Sequence, residues 1–128
     1  PKNDKAAVKW YTLAAEQGLA DAQFNLGFMY EYGRGVPKNY KAAVKWYTKA
    51  AEQGGAEAQT NLGASYYNGK GVLTDNRRAY MWLNLASYNG SEKAGENRDI
   101  IAKEMTPADI SKAQGMSSRC LESNYTDC

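Results

Sequence analysis

The residues best suited to covalent chemistry are the two cysteines, Cys120 and Cys128, which both lie within the last nine positions. In an oxidising compartment they could form a disulfide that ties the tail back onto the last helix. In a reducing compartment Cys120 would instead be an ordinary small core residue. We favour the disulfide, which is most plausible in an exported protein.

Catalysis by the remaining side chains has little support. The chain contains no histidine, the residue that most often acts as general base and metal ligand near neutral pH. No nucleophile has a recognisable base beside it, and the acidic residues mostly fall on solvent-facing helical positions. We therefore predict a protein without catalytic residues, metal site or cofactor. A hydrolase, or a binder of small molecules of the cell-wall kind, is the alternative.

Two Gly-x-Gly segments, at 33–35 and 69–71, raise the question of phosphate binding. They lack the Gly-x-x-x-x-Gly-Lys-Ser/Thr pattern, and no strand precedes them. We interpret both as turns between helices.

Aromatic and amide side chains are the best candidates for recognition. Phe24, Phe28 and Tyr32 recur at steps of four on one predicted helix, so they share a face. Asn25 and Asn61 could hydrogen-bond the backbone of an extended peptide. The alternative is that the phenylalanines pack on an upstream helix and Asn25 braces a loop. The full set of partner-binding candidates is Phe24, Asn25, Phe28, Tyr32, Gln59, Asn61, Tyr67 and Asn68.

These side chains are carried by an internal repeat of 36 residues. Segment 41–72 is a near copy of segment 5–36, with roughly two-thirds of the positions identical. A period of about 20–50 residues is typical of stacked repeats, in which each unit buries its apolar face against its neighbours. Positions that differ while the framework repeats are where such a protein can encode specificity.

The apolar spacing and the breaks predict seven helices, at 5–17, 20–32, 40–53, 56–68, 76–89, 91–105 and 107–123. Asp4 stands where an N-cap belongs, and Gly18, Gly54 and Gly90 are placed to end helices. The last helix, which begins after Thr106, has a polar side suited to a terminal cap of the stack.

Trp10, Trp46 and Trp82 recur every 36 residues between alanines. Large aromatic residues at helical spacing are usually core, so we predict that all three are buried. Gly27 lies beside the apolar stripe of its helix, where a glycine indicates close approach of another helix.

The repeated pattern resembles the Sel-1-like repeat family, relatives of the tetratricopeptide repeat. The pattern reads Ala-x-x-x-Leu-Gly-x-x-Tyr, Gly-x-Gly-Val and Lys-Ala-x-x-Trp-Tyr-x-x-Ala-Ala-x-x-Gly. Its first full instance consists of Ala22, Leu26, Gly27, Tyr30, Gly33, Gly35, Val36, Lys41, Ala42, Trp46, Tyr47, Ala50, Ala51 and Gly54.

The resemblance implies an all-α fold, a right-handed α-α superhelix or solenoid of antiparallel helix pairs. It also implies an adaptor without shared catalytic residues, with the first helix of each pair on the concave side. The tail is similar to the terminal segments of some bacterial members. Together with a disulfide, this favours a bacterial periplasmic or secreted location.

We expect one domain over 1–128, divided into a half repeat at 1–18, repeats at 19–54 and 55–90, and a degenerate repeat with a capping helix at 91–128. The start of the chain is in register with the middle of the loop at 37–40, so we expect a C-terminal part of a longer protein.

The net charge of +2 and the alternating Lys and Glu residues argue against nucleic-acid binding. No apolar run approaches the about 20 residues that span a bilayer. We predict a non-catalytic scaffold that binds a protein or peptide on its concave face. A purely structural spacer is a further alternative.

Overall fold

The computed structural model describes residues 3–128, which form seven helices and no β-strand. The helices are α1 (Asp4–Glu16), α2 (Ala20–Tyr32), α3 (Tyr40–Ala51), α4 (Ala56–Asn68), α5 (Asn76–Tyr88), α6 (Glu92–Ala102) and α7 (Pro107–Glu122). Helices α2 and α4 have the predicted bounds. Helix α6 ends earlier than predicted. Beyond it the chain makes tighter turns, in which the N–H groups of Glu104 and Met105 donate to carbonyls three residues earlier. The half repeat predicted for 1–18 begins at two residues that lie outside the described part.

The helices that carry the tryptophans begin at equivalent caps, which are Asn3, Asn39 and Asp75. Each cap residue has an extended backbone, and its side-chain oxygen accepts a hydrogen bond from a main-chain N–H of the first turn. The prediction of Asp4 as the first cap was wrong, because Asn3 accepts the bond from Ala6 at 3.1 Å. Asp4 is instead the first helical residue.

From α1 to α6 consecutive helices pack against each other along the chain, and the tryptophans of α3 and α5 are buried between them. Trp46 is 8% exposed and Trp82 is 3% exposed. Each belongs to an apolar cluster built largely from small residues of the preceding helix pair, as expected. The neighbours are Ala15, Ala22 and Leu26 for Trp46, and Ala51, Ala58 and Leu62 for Trp82.

The prediction that Trp10 is buried was wrong, since its side chain is 72% exposed. Trp46 is covered by residues of α1 and α2. Within the described residues no helix precedes α1 to cover Trp10 in the same way. Two tryptophans with the same local sequence can therefore differ in burial, because burial depends on whether preceding helices cover the side chain.

The close approach predicted at Gly27 is confirmed. A Cβ atom added to Gly27 would lie 2.8 Å from the ring of Tyr47 on α3. Gly63, in register on α4, would bring a Cβ to 2.9 Å from Leu83 on α5. In both helix pairs the missing side chain lets the next helix come into contact.

Helix α7 closes the stack by packing on α5. Lys45 and Lys49 are exposed on α3, whereas the residues in register on α5, Met81 and Leu85, are fully buried in the cluster that contains Cys120 of α7. The replacement of two lysines by apolar residues therefore marks the surface that the terminal helix covers.

Candidate partner-binding site

The candidate binding surface is a strip on helices α2, α4 and α6, built from positions 36 residues apart. One row contains asparagine in all three helices, and the adjacent row one turn later varies. We call these residues the α2–α4–α6 strip: Asn25, Asn61, Asn97, Phe28, Ala64 and Ile100. The three asparagines are half-buried, while Ala64 and Ile100 are exposed.

Between α4 and α6 the strip opens into a cavity of about 270 Å³. Its lining is mainly aliphatic, with Tyr67 as the aromatic residue and two asparagines as the polar groups. The lining residues are Ala64, Tyr67, Asn68, Leu83, Asn97, Ile100 and Ile101. A concave apolar space with a few polar groups is the usual form of a ligand-binding site.

The cavity between α4 and α6 depends on a difference between two positions in register, Tyr47 and Leu83. Tyr47 is fully buried, and its ring packs beside Gly27 while its hydroxyl donates to Glu31 Oε1 at 2.7 Å. Leu83 has no ring and no hydroxyl, so it leaves space above it. The partner-binding candidates did not include Leu83, Asn97 or Ile100. Comparing the copies in register would have found them.

A second cavity, of about 300 Å³, lies between α1 and α2 and is lined by Asn25 and Phe28 together with Tyr11. The Phe28 ring is tilted against Tyr32, with ring centroids 4.6 Å apart. Tyr32 itself is exposed. The cavities that contain Asn25 and Asn97 therefore lie at opposite ends of the strip.

Phe24 packs on the helix that follows it, since its ring contacts Tyr47 on α3, with centroids 5.8 Å apart. It also lines a shallower cavity with Thr60, Asn61 and Lys93. Phe24 is half-buried. Its main role is to cover the core, and its edge contributes to the surface next to Asn61.

Gln59 cannot contact a partner, because its side chain is fully buried. Its Nε2 donates to the carbonyl of Ala51 at 3.0 Å, and its Oε1 accepts a bond from Asn89. Gln23, in register, is also buried and donates to Ala15. The assignment of Gln59 as a binding candidate was therefore wrong.

Tyr67 and Asn68 both line the cavity between α4 and α6. The Tyr67 hydroxyl donates to Glu104 Oε2 at 2.7 Å, which connects α4 to the turn after α6. This hydrogen bond raises the pKa of Tyr67 above its ordinary value. Asn68 is exposed at the rim of the cavity.

Replacing Tyr47 with phenylalanine should destabilise the protein by about 1.5–3 kcal/mol, because it removes a hydrogen bond to a charged group. Burial, and then the bond to Glu31, raise the pKa of Tyr47 well above 10. The unfolded chain would lose this proton near pH 10, so this part of the stability is present below pH 10 and decreases as pH rises further. Urea unfolding at pH 7 and pH 10.5 measures both effects.

The matched control is Tyr67→Phe, which also removes a hydroxyl that donates to a glutamate, but on the surface. We expect no measurable change in the midpoint of unfolding. Equal destabilisation by the two substitutions would show that the contribution of the Tyr47 hydrogen bond to stability does not depend on burial.

Cys120 and Cys128 are joined by a disulfide in the structure, with Cα atoms 4.5 Å apart. Cys120 is also fully buried in the main apolar cluster. The bond therefore connects the end of the chain to the core through α7.

Within residues 3–128, no group of three or more Cys, Asp or Glu side chains is arranged to hold a metal ion. The buried serines, Ser65 and Ser117, donate to main-chain carbonyls one helical turn earlier. None of the helices in this part of the chain combines the length and the apolar character needed to cross a membrane.

The chain was compared with known proteins. The family model for the Sel1 repeat matches residues 1–19, 20–55 and 56–91. The search of curated proteins found no match.

Two solved structures are similar to the chain over much of its length. The first is c5321, a protective antigen present in uropathogenic Escherichia coli strains and displaying an SLR fold. It is 37% identical with a TM-score of 0.91, over 97% of this chain and 28% of that protein. The second is a Sel1 repeat protein from Oxalobacter formigenes, 46% identical with a TM-score of 0.72, over 73% of this chain and 39% of that protein. The chain thus spans less than half the length of either relative.

The predicted fold, an all-α solenoid of helix pairs, is confirmed by the seven helices and by these neighbours. Sel1 repeat proteins are in general scaffolds for protein–protein interaction and are generally non-catalytic. Since the family model covers residues 1–91 in three consecutive matches, the chain belongs to the Sel1 repeat family.

Proposed function

We propose that this protein is a non-catalytic scaffold that binds an extended segment of a partner protein along the α2–α4–α6 strip. The observation that carries the proposal is the row of asparagines at 25, 61 and 97, which runs past an apolar cavity.

The chemistry of the strip suits a peptide in extended conformation. An asparagine amide offers both donors and an acceptor, as does each peptide unit of an unpaired strand. Asparagines on α2, α4 and α6 can therefore hold a peptide backbone at several points, whatever the sequence of the peptide. Specificity would come from the row that varies, where Phe28, Ala64 and Ile100 present surfaces of different size.

The cavity between α4 and α6 would take one apolar side chain of that peptide. Its floor is Leu83, and Tyr67 is held in its wall by the bond to Glu104. A side chain that enters this space leaves water for an apolar surface, which gains about 25 cal/mol per Å² buried. The site therefore favours peptides with an aliphatic or aromatic residue at this point.

The alternatives have less support. A hydrolase would need a nucleophile next to a base, but the chain has no histidine and its buried serines donate to main-chain carbonyls. A spacer would not need apolar cavities on its surface. The small net charge of +2 gives no favourable field for binding nucleic acid. That the protein does not bind nucleic acid stays a prediction.

The proposal is tested by selecting binders from a displayed library of random peptides and measuring their affinity for two variants. Ile100→Glu places a charge at the mouth of the cavity, and we expect binding at least tenfold weaker. Leu73→Glu introduces the same charge at a loop residue that is 90% exposed and lies outside the strip, and we expect no change. Both replaced side chains are exposed, so both variants should fold.

Two further substitutions locate the peptide along the strip. Asn61→Ala should weaken every selected peptide to a similar degree, because it removes contacts to the backbone. Phe28→Ala should weaken only those peptides that reach the α1–α2 cavity. Selected peptides that bind Ile100→Glu and Asn61→Ala as tightly as the parent protein would exclude the strip as the binding surface.

A further inference from the structure

A polar contact connects each repeat to the next, and its first instance is centred on Gln53. Both hydrogens of the Gln53 amide are used, since Nε2 donates to the carbonyl of Gly18 and to Oε1 of Gln23, each at 2.9 Å. Gln23 in turn donates to Ala15 at 3.1 Å. The end of α3 is thus attached to the α1–α2 turn of the preceding pair.

The second instance differs from the first at one residue. Asn89 stands in register with Gln53, and its Nδ2 donates to Oε1 of Gln59 at 3.0 Å. Its side chain is one methylene shorter, and the partner of its second hydrogen is not the carbonyl of Gly54. That hydrogen is donated instead to the hydroxyl of Tyr125, at 3.0 Å.

Tyr125 reaches this position from the tail that follows α7. A Cβ atom added to Gly54 would lie 3.7 Å from the Tyr125 ring, so the ring covers the α3–α4 turn. The hydroxyl takes the place that the glycine carbonyl occupies one repeat earlier. The tail therefore completes the polar contact of the last full repeat.

The tail adopts an unusual backbone to present Tyr125. Asn124 and Tyr125 both have positive φ, 56° and 67°, which two consecutive non-glycine residues rarely share. The disulfide between Cys120 and Cys128 closes the loop that contains them. Local hydrogen bonds also hold the tail, since the N–H of Tyr125 donates to the carbonyl of Cys120 at 2.7 Å and Ser123 Oγ accepts from the N–H of Asp127 at 2.9 Å.

We propose that the Cys120–Cys128 disulfide is a redox-controlled clasp, which holds Tyr125 on Asn89 when oxidised and releases it when reduced. A dithiol reductant would supply two electrons and two protons. The S–S bond breaks, two thiols form, and the dithiol becomes a disulfide. Without the closed loop, Asn124 and Tyr125 leave the left-handed backbone conformation. The second N–H of Asn89 then donates to water. Oxidised and reduced proteins then differ in the order of their last repeat.

The direct test is the hydrogen exchange of side-chain amides, measured by NMR with and without dithiothreitol. Reduction should increase the exchange rate of the Asn89 amide at least tenfold. The amide of Gln53 makes the equivalent contacts without Tyr125, so its exchange should not change. The proposal is overturned if Asn89 exchanges at the same rate in both states, or if Gln53 changes as much as Asn89.

Two variants separate the clasp from the general effect of a crosslink on the unfolded chain. Tyr125→Phe removes the acceptor hydroxyl, and Asn89→Gln restores the longer amide that can reach the Gly54 carbonyl. Reduction lowers the melting temperature of any protein that loses a crosslink, but we expect a smaller decrease in both variants than in the parent. Equal decreases in all three proteins would show that the disulfide does not act through Tyr125.

Discussion

Replacing Trp82 with alanine should lower the free energy of unfolding by about 3–5 kcal/mol. The indole is 3% exposed and lies in the main cluster with Ala51, Ala58 and Leu62, so its loss leaves a cavity that helices cannot easily close. The total stability of a single domain is about 5–15 kcal/mol, so this substitution removes a large part of it. Urea denaturation followed by far-ultraviolet circular dichroism measures the change.

Trp10→Ala is a closely matched control, because the two tryptophans occupy the same place in the repeat. Trp10 is mostly exposed, and its replacement should change stability by no more than about 0.5 kcal/mol. If both substitutions destabilised the protein equally, Trp10 would have to be covered in solution, and its description as an exposed residue would be wrong.

Gly71→Ala should destabilise the protein by about 2–5 kcal/mol. Gly71 has φ +81°, and a Cβ atom there would lie 2.6 Å from the carbonyl carbon of Tyr40. The left-handed backbone costs an alanine about 1–2 kcal/mol, and the overlap with main-chain atoms adds about 1–3 kcal/mol. The loop after α4 rests directly on the start of α3, so neither side can move freely. Thermal and urea unfolding measure the loss.

Gly18→Ala provides the comparison for Gly71→Ala. Gly18 also has a positive φ, +94°, but a Cβ atom there would have no neighbour within 4 Å. Only the conformational cost of about 1–2 kcal/mol should appear. If Gly18→Ala proved as harmful as Gly71→Ala, close contact between successive repeats would not explain why glycine stands at position 71.

The proposed binding surface could be predicted only in part. The variable row and the asparagines at 25 and 61 follow from comparing the copies, and the structure places them on one strip. Gln59 was misassigned because an amide on a helix can serve a partner or the core, and the pattern alone does not separate the two. The cavity itself depends on Leu83, which lies on α5, whereas the predicted binding residues lie on α2 and α4.

The sequence by itself determined the helices, their order and the stacked fold. Helix caps and apolar spacing act over a few residues, and a 36-residue period requires each unit to meet its neighbour in the same way. For this reason the bounds of α2 and α4, and the contact at Gly27, could be derived without coordinates.

Only the tertiary structure decided which of the equivalent residues are covered. Trp10 and Trp46 share a local sequence, yet one is on the surface and the other in the core. In the same way, α7 packs on α5 and Tyr125 reaches Asn89 from a tail outside the repeat. Burial depends on elements distant in the chain, and a local pattern specifies the face of a helix but not what covers it.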